Sequence, residues 1–403
     1  MQGLISGREN DQGDGSRINM EHGRRSMKKI YYIGFYNGQR CKERTCGRNL
    51  AASVKIDFTI DTLKQLGYHV HLISICLEAE GGFSKLEHIR IDELEEHTYI
   101  PYFSLKIKGR SCLAGKTAGF FLKMYAFFRF KKDDIVMTYH SLAYGRFWAK
   151  LHERIGFRWI SEVNEIYCLS QGDYQDSGRL EKEIRMFSSS DGYLFANDVM
   201  AKKYANGKPY AICYGNYNVY ASKEAFQGKN IKIVYTGIIN QDRGVYKAIA
   251  AMKYLPANYE LHILGFGSAE NMEQMWEHIR TANQENERVF FEGTKAGKEY
   301  TEFLLRHQIG ISLMDTSAEI SENAFPSKIL TYLGHSLFVV SSRCPSIVNS
   351  NVADSIYFCG ESEEDIAKTI LQIPIFETNS GAAKLKKLNK QLLNDLENVL
   401  SGS

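Results

Sequence analysis

Short apolar runs alternate with stretches of helical periodicity along most of the chain. In the first half the runs that predict strands are Lys29–Phe35, His69–Ile75, Asp134–His140, Arg158–Val163, Gly192–Ala196 and Tyr210–Tyr214. Between the first two, Ala52, Ile56, Ile60 and Leu63 recur at helical spacing, and Gly67 stops the pattern, which predicts a helix over Asn49–Leu66. A strand-helix-strand unit of this kind implies parallel pairing. The second half repeats the rhythm with strands at Ile231–Thr236, Glu260–Leu264, Arg288–Phe291, Ile309–Met314, Phe338–Ser341 and Ile356–Phe358, and helices such as Val245–Tyr254 and Lys298–His307. The pattern lapses over the polar segment Tyr220–Asn230. The expected fold class is therefore α/β, with two Rossmann-like domains facing across a cleft, residues 27–220 and 221–375. Ligands of such folds bind at the carboxyl ends of the strands. Residues 376–403 carry a Lys/Leu/Asn-rich helical pattern, expected to cross back to the first domain.

Composition narrows the class without changing this outline. The chain has 403 residues, 44% hydrophobic and 24% charged, as a globular two-domain protein requires. A formal net charge of +3 gives no global pull toward nucleic acid. The 8 cysteines form no paired CxxC pattern. Cys41 and Cys46 lack a second ligand pair, so no metal site is expected, and reduced thiols in a cytoplasmic protein are. No stretch of 18 apolar residues exists to cross a membrane. Residues 1–26 are polar and cannot build a core. Met27, which opens the first apolar run, is the expected natural start, with the leader an extension or a disordered tail.

Three turns of the second half carry candidate chemistry. The first follows strand Ile231–Thr236 and runs from Gly237 through Arg243 to Gly244. A glycine there lets backbone approach a ligand, a helix start offers free N–H groups, and Arg243 can pair two phosphate oxygens. The second is Gly265-Phe266-Gly267, with room for a base or phosphate but only two glycines. The third runs from Glu322-Asn323 through Phe325-Pro326-Ser327-Lys328 to Thr331 and Gly334. Pro326 suits a first helical turn, Ser327 a cap or an anion, and Lys328 adds positive charge. Each turn also has a plain reading, as a βα loop, a tight turn and a capped helix with an incidental lysine.

Taken in order, these pieces resemble the donor half of the retaining nucleotide-sugar glycosyltransferases of GT-B fold, in particular family 4. That family has Gly-Arg-Leu, a short loop and Lys-Gly after a strand, matched here by Gly237, Ile238, Ile239, Arg243 and Gly244. Its Gly-x-Gly is matched by Gly265 and Gly267, and its strand ending in glycine by Val289–Gly293. Its Phe-Pro-Ser-Lys pattern is matched by Phe325–Leu333, with Thr331 where glutamate is usual. The resemblance covers nearly the whole second half and extends more loosely from Met27 onward. It implies a metal-independent hexosyltransferase without cofactor, using a UDP- or GDP-linked sugar and a saccharide or polyprenyl-linked acceptor, as in bacterial surface polysaccharide synthesis. It assigns donor binding to Gly237, Arg243, Gly265, Gly267, Asn323, Phe325, Pro326, Ser327, Lys328 and Thr331. Two departures stand out. Ile238 replaces an arginine, and the acidic pair spaced eight apart maps onto Asn323 and Thr331, with Glu322 adjacent and able to replace the first by a small loop shift. A GT-B subunit without activity that serves as partner or regulator is the alternative implied by those losses. A sugar-nucleotide 2-epimerase of the same fold is a third, weaker reading, for want of converging acids and histidines.

In the first half, Gly34 and Gly38 bracket the turn after the first strand, where the family places a loop over acceptor and donor phosphates. The ends of two further strands, at His140 and at Glu162-Val163-Asn164-Glu165, are expected to face the cleft. Glu165, with His140 and Glu322, is a candidate to orient an acceptor hydroxyl or take its proton. Each of His140, Glu162 and Glu165 can equally be a loop residue with a hydrogen-bond partner. Finally, Lys106–Lys132 holds 8 Lys or Arg residues and no acid, interleaved with Phe120, Phe121, Leu122, Met124, Tyr125, Phe127, Phe128 and Phe130. A basic aromatic helix of this kind can lie on an anionic membrane, on the inner face of the plasma membrane for a cytoplasmic protein, or be a core helix with a basic end.

Overall fold

Apolar runs too continuous for a half-exposed strand become strands covered on both faces. The computed structural model describes residues 28–38, 40, 50–75, 82–107, 110–170, 177–221, 224–316 and 320–402. The leader, Met27, Cys41 and Cys46 lie outside the described residues. In chain order the strands of the first half are β1 (Lys29–Gly34), β2 (His69–Ser74), β3 (Gly82–Ser84), β4 (Glu87–Arg90), β5 (Glu95–Tyr99), β6 (Tyr102–Ile107), β7 (Arg110–Cys112), β8 (Ile135–Tyr139), β9 (Arg158–Val163), β10 (Gly192–Phe195) and β11 (Tyr210–Ile212). Those of the second half are β12 (Ile231–Ile238), β13 (Tyr259–Phe266), β14 (Val289–Phe291), β15 (Ile309–Ser312), β16 (Phe338–Ser342) and β17 (Ile356–Cys359). The helices are α1 (Leu50–Gln65), α2 (Ala114–Arg129), α3 (Gly145–Ile155), α4 (Tyr167–Ser170), α5 (Ser177–Ser188), α6 (Asp198–Tyr204), α7 (Val245–Ala251), α8 (Ala269–Ala282), α9 (Gly297–Leu304), α10 (Ile320–Asn323), α11 (Lys328–Gly334), α12 (Pro345–Val348), α13 (Glu363–Leu371) and α14 (Gly381–Ser401).

Two sheets organise them, in the orders β11-β10-β9-β8-β1-β2-β5-β4 and β14-β13-β12-β15-β16-β17. Each reverses direction of growth beside its first strand, the point at which a doubly wound sheet opens a crevice. All pairs of the second sheet are parallel; in the first only β4 on β5 is antiparallel. A small antiparallel sheet, β3-β6-β7, stands apart. It corrects the helical expectation for the start of Lys106–Lys132: residues up to Ile107 and Arg110–Cys112 are strand, and α2 begins at Ala114.

The two halves share one apolar cluster. It runs from Ile30 and Met137 in the first sheet through Phe325 and Leu330 to Leu396 and Leu400 of α14. Helix α14 packs on β10 and β11, and the Arg158 guanidinium donates to the Val399 carbonyl at 2.6 Å, satisfying an orphan carbonyl of its last turn. Strand β5 lacks the apolar signature because its acids are answered from elsewhere. Glu95 is wholly buried and accepts from Arg40 at 2.5 Å, Lys64 at 2.8 Å and His97 at 2.8 Å. Burial would raise this carboxyl, but those three partners outweigh it and hold it at about 2.

Candidate active site

The carboxyl end of β12 brings two cations together. Gly237 lies at φ +139°, a backbone that a side chain would strain. After it, the Asn240 side chain accepts from the Arg243 N–H at 3.1 Å and closes a short 3-10 turn over Gln241–Arg243. That turn fixes where the Arg243 side chain departs. Across from it, Lys328 opens α11, which is tied to β12 because the Tyr332 hydroxyl accepts from the Thr236 N–H at 3.0 Å. The Lys328 ammonium stands 4.4 Å from the centroid of the Tyr235 ring, and a Cβ added at Gly237 would lie 3.2 Å from it. Gly237 thus leaves the space that the lysine reaches across.

Burial, and after it the positive charge of Arg243, pull the Lys328 ammonium down to about 7 from the usual lysine range. Among the described residues neither the half-buried Arg243 nor Lys328 has a carboxylate partner, although a buried ammonium such as that of Lys328 is ordinarily paired. Two like charges held together without a counter-ion make an anion site, suited to a diphosphate. Tyr235 and Asn240 belong to it and carried no signal in the sequence, since a strand tyrosine and a loop asparagine are commonplace.

The other residues of the second half divide by what they touch. A Cβ at Gly265 would collide with the Gly237 carbonyl, and one at Gly267 would lie 2.6 Å from that of Ile239, so both glycines answer the close approach of neighbouring turns. Phe325 is buried against Tyr214 of the first half, with ring centroids 4.8 Å apart. Pro326 is buried and Ser327 exposed; the Ser327 hydroxyl does not cap α11. Ser327 and Leu330 face Gly215, just beyond β11, across the seam between the halves. The Thr331 hydroxyl donates to the Ser327 carbonyl at 3.5 Å. Glu322 is exposed and Asn323 is 3% exposed, both on α10, which touches α4 and α6 of the first half. Ile238, where the family has arginine, is 47% exposed beside Phe266 at the mouth of this site.

The first half presents acids that are already engaged. Glu162 is wholly buried; it accepts from the Tyr32 hydroxyl and from the Asn164 amide at 3.1 Å, with the Lys55 ammonium 3.9 Å away. Lys55 also donates to Asn164 and to the Cys213 carbonyl at 2.9 Å, tying α1 to the end of β11. His140 is buried, its Nε2 3.0 Å from Glu183. Glu183 in turn accepts from the N–H groups of Tyr167 at 2.7 Å and Cys168 at 2.8 Å, so one carboxylate fixes both the histidine and the start of α4. Glu183 and Lys55 were not legible as partners, because each looks like a surface position of an amphipathic helix. Glu165 is partly exposed and close enough to Tyr139 and Tyr167 for its charge to help raise both phenols, after burial. Gly34 packs against Ile56, and Gly38 against the Tyr36 ring. Among the described residues no cluster of His, Cys, Asp and Glu could hold a metal ion.

Two Rossmann-like sheets that share one apolar cluster define a GT-B fold. Solved structures similar to it include sugar-phosphate synthases and a glycosyltransferase. The E. coli trehalose-6-phosphate structure bound with UDP-2-fluoro glucose superposes with TM-score 0.63 at 10% identity, over 93% of this chain and 98% of that one. Sucrose-phosphate synthase from Thermosynechococcus elongatus gives 0.59 at 11% identity, over 93% and 95%. WaaG, a glycosyltransferase involved in lipopolysaccharide biosynthesis, gives 0.56 at 11% identity, over 93% and 100%. No protein-family profile and no curated protein sequence matches the chain.

Proposed function

We infer that the chain is a glycosyltransferase that moves a hexose, with retention, from a UDP- or GDP-linked sugar to a saccharide or lipid-linked acceptor. The observation that carries this reading is the pair Arg243 and Lys328 at the end of β12, without a carboxylate partner among the described residues. A sugar leaving its diphosphate loads negative charge onto the β-phosphate. Cations fixed in advance and partly shielded from water stabilise that charge more than the ground state, which lowers the barrier. Lys328, near neutrality in the free protein, takes up a proton as the diphosphate arrives and so becomes fully charged where charge develops. With retention, the departing phosphate can itself accept the acceptor's proton, and the protein's task is chiefly positioning. Glu165, with its partly exposed side chain in the first half, is the residue we assign to orienting the acceptor hydroxyl. His140 and Glu162 hold the wall behind it through Glu183, Tyr32 and Asn164. No step calls for a metal ion.

The likeness of fold to a chain solved with a UDP-sugar analogue supports the donor class, and the lipopolysaccharide role of WaaG supports a surface-glycan acceptor. A second reading, a GT-B subunit without activity, draws on Ile238, Asn323 and Thr331, which leave the site without the arginine and acids of the resembled family. Titration calorimetry with a panel of UDP-, GDP- and ADP-sugars, with slow donor hydrolysis followed in parallel, decides between them. Micromolar-range binding with hydrolysis is expected; binding without hydrolysis favours the second reading, and neither binding nor hydrolysis removes the first.

A further inference from the structure

Large apolar side chains are exposed very unevenly. Of the 21 exposed among the described residues, nine fall between Phe83 and Phe128. Phe83 pairs directly with Phe103 across β3 and β6, and Leu105, two residues on, shares their face. The Thr117 hydroxyl donates to the Phe103 carbonyl at 2.8 Å and accepts from its N–H at 3.0 Å, fastening this small sheet to α2. On α2 itself, Phe120, Met124, Phe127 and Phe128 form one outward stripe, with Phe128 78% exposed, while Ala118, Leu122 and Ala126 turn to the core. Leu86 joins Met124 and Phe128 in a shallow apolar groove. A patch of this extent on a folded chain marks a contact surface.

Its border is basic on two elements. On α2, which carries no acid, Lys116, Lys123 and Arg129 are exposed. Alongside, Arg146, Lys150 and Arg154 stand exposed at every fourth residue of α3, which carries a single acid, Glu153. The two rows interlock: the Arg154 guanidinium lies 4.7 Å over the Phe127 ring, and the Lys123 ammonium 5.8 Å from the centroid of Phe147. No helix among the described residues is long and apolar enough to cross a membrane.

We propose that this face of the first domain, α2 with the β3-β6-β7 sheet and the basic row of α3, docks the chain on an anionic lipid bilayer. Such a surface offers what the two rows need at matching depths: acyl chains for the phenylalanines and phosphate headgroups for the arginines and lysines. A second copy is the poorer occupant, because a twofold contact through this patch sets one basic row against the other. Gly119 of α2 packs against Tyr144, which immediately precedes α3 and stacks on Phe35 beyond the end of β1. The docking face therefore adjoins the carboxyl ends of the strands, where a lipid-carried substrate would enter.

Co-sedimentation of the full chain with vesicles, without any nucleotide sugar, tests this apart from the catalytic reading. Vesicles of phosphatidylcholine with phosphatidylglycerol should retain the protein and phosphatidylcholine alone should not, with retention falling as salt rises. The exposed triple variant Arg146→Glu/Lys150→Glu/Arg154→Glu and the double variant Phe127→Ser/Phe128→Ser should each lower retention by about tenfold or more while melting as the parent does. Equal retention on both vesicle types, no retention on either, or variants that bind as the parent would overturn the proposal. So would a concentration-dependent dimer that the same variants abolish in protein with no vesicle binding.

Discussion

The two halves of the molecule treat charge in opposite ways. In the first, the carboxylates near the strand ends are consumed by the fold: Glu162 by Tyr32 and Asn164, Glu183 by His140 and the N–H groups of Tyr167 and Cys168. In the second, Arg243 and Lys328 are brought together with no carboxylate partner among the described residues, at a cost to folding that shows in the depressed lysine. Buried charge that is paired holds geometry, and charge left unpaired in a cleft awaits a ligand. In the proposed function the first half is therefore the wall of the site and the second its working face.

Substitutions should separate the two roles. The largest effect is expected for Glu183→Ala, which strands His140 and two backbone N–H groups; about 3 kcal/mol of stability should be lost in urea unfolding. A loss below 1 kcal/mol, about that of an ordinary exposed pair, would remove the contrast. Next, Arg243→Ala and Lys328→Ala should each weaken binding of a nucleotide-diphosphate sugar by about 1.5–3 kcal/mol without lowering stability, the reverse of the Glu183 result.

Lys328→Met should go further and stabilise the protein, in a pH-dependent way. A lysine lowered to about 7 in the folded state still titrates near its usual value when unfolded. Between those two values the unfolded chain binds more protons, so stability rises with pH. The penalty of burying Lys328 is complete below pH 7 and fades as pH climbs toward 10. The melting point of Lys328→Met should accordingly exceed that of the parent by a few degrees at pH 6.5, the gap should narrow steadily above pH 7, and it should close only as pH passes the ordinary lysine value, about 10.4. The smallest effect is expected from Ile238→Arg, which adds a cation at an exposed rim and should tighten donor binding by about 1 kcal/mol.

Much of the fold was legible from the sequence because both large sheets are covered on either side. Their strands are nearly unbroken apolar runs, and each of the 12 segments predicted as a strand holds one. Strand β5 was missed for the opposite reason. Glu95, Glu96 and His97 look like a loop until Arg40, Lys64 and Lys29, distant in sequence, come to meet them. The cation pair was legible because turns at strand ends and the Phe325–Lys328 pattern mark it locally. Glu183 and Lys55 were not, since the reason for their burial lies wholly in long-range pairing. Likewise the basic row of α3 has meaning only beside the stripe of α2.

In the proposed function Lys328 gains a proton when the donor's diphosphate binds. Calorimetric titration of a UDP- or GDP-sugar at pH 8, in two buffers of different ionisation enthalpy, measures that proton directly. Uptake close to one proton is expected for the parent, since Lys328 is mostly neutral at this pH and its partner anion restores the charge, with uptake lost in Lys328→Met. Binding that takes up no proton and is equally tight in Lys328→Met and Arg243→Ala would contradict it.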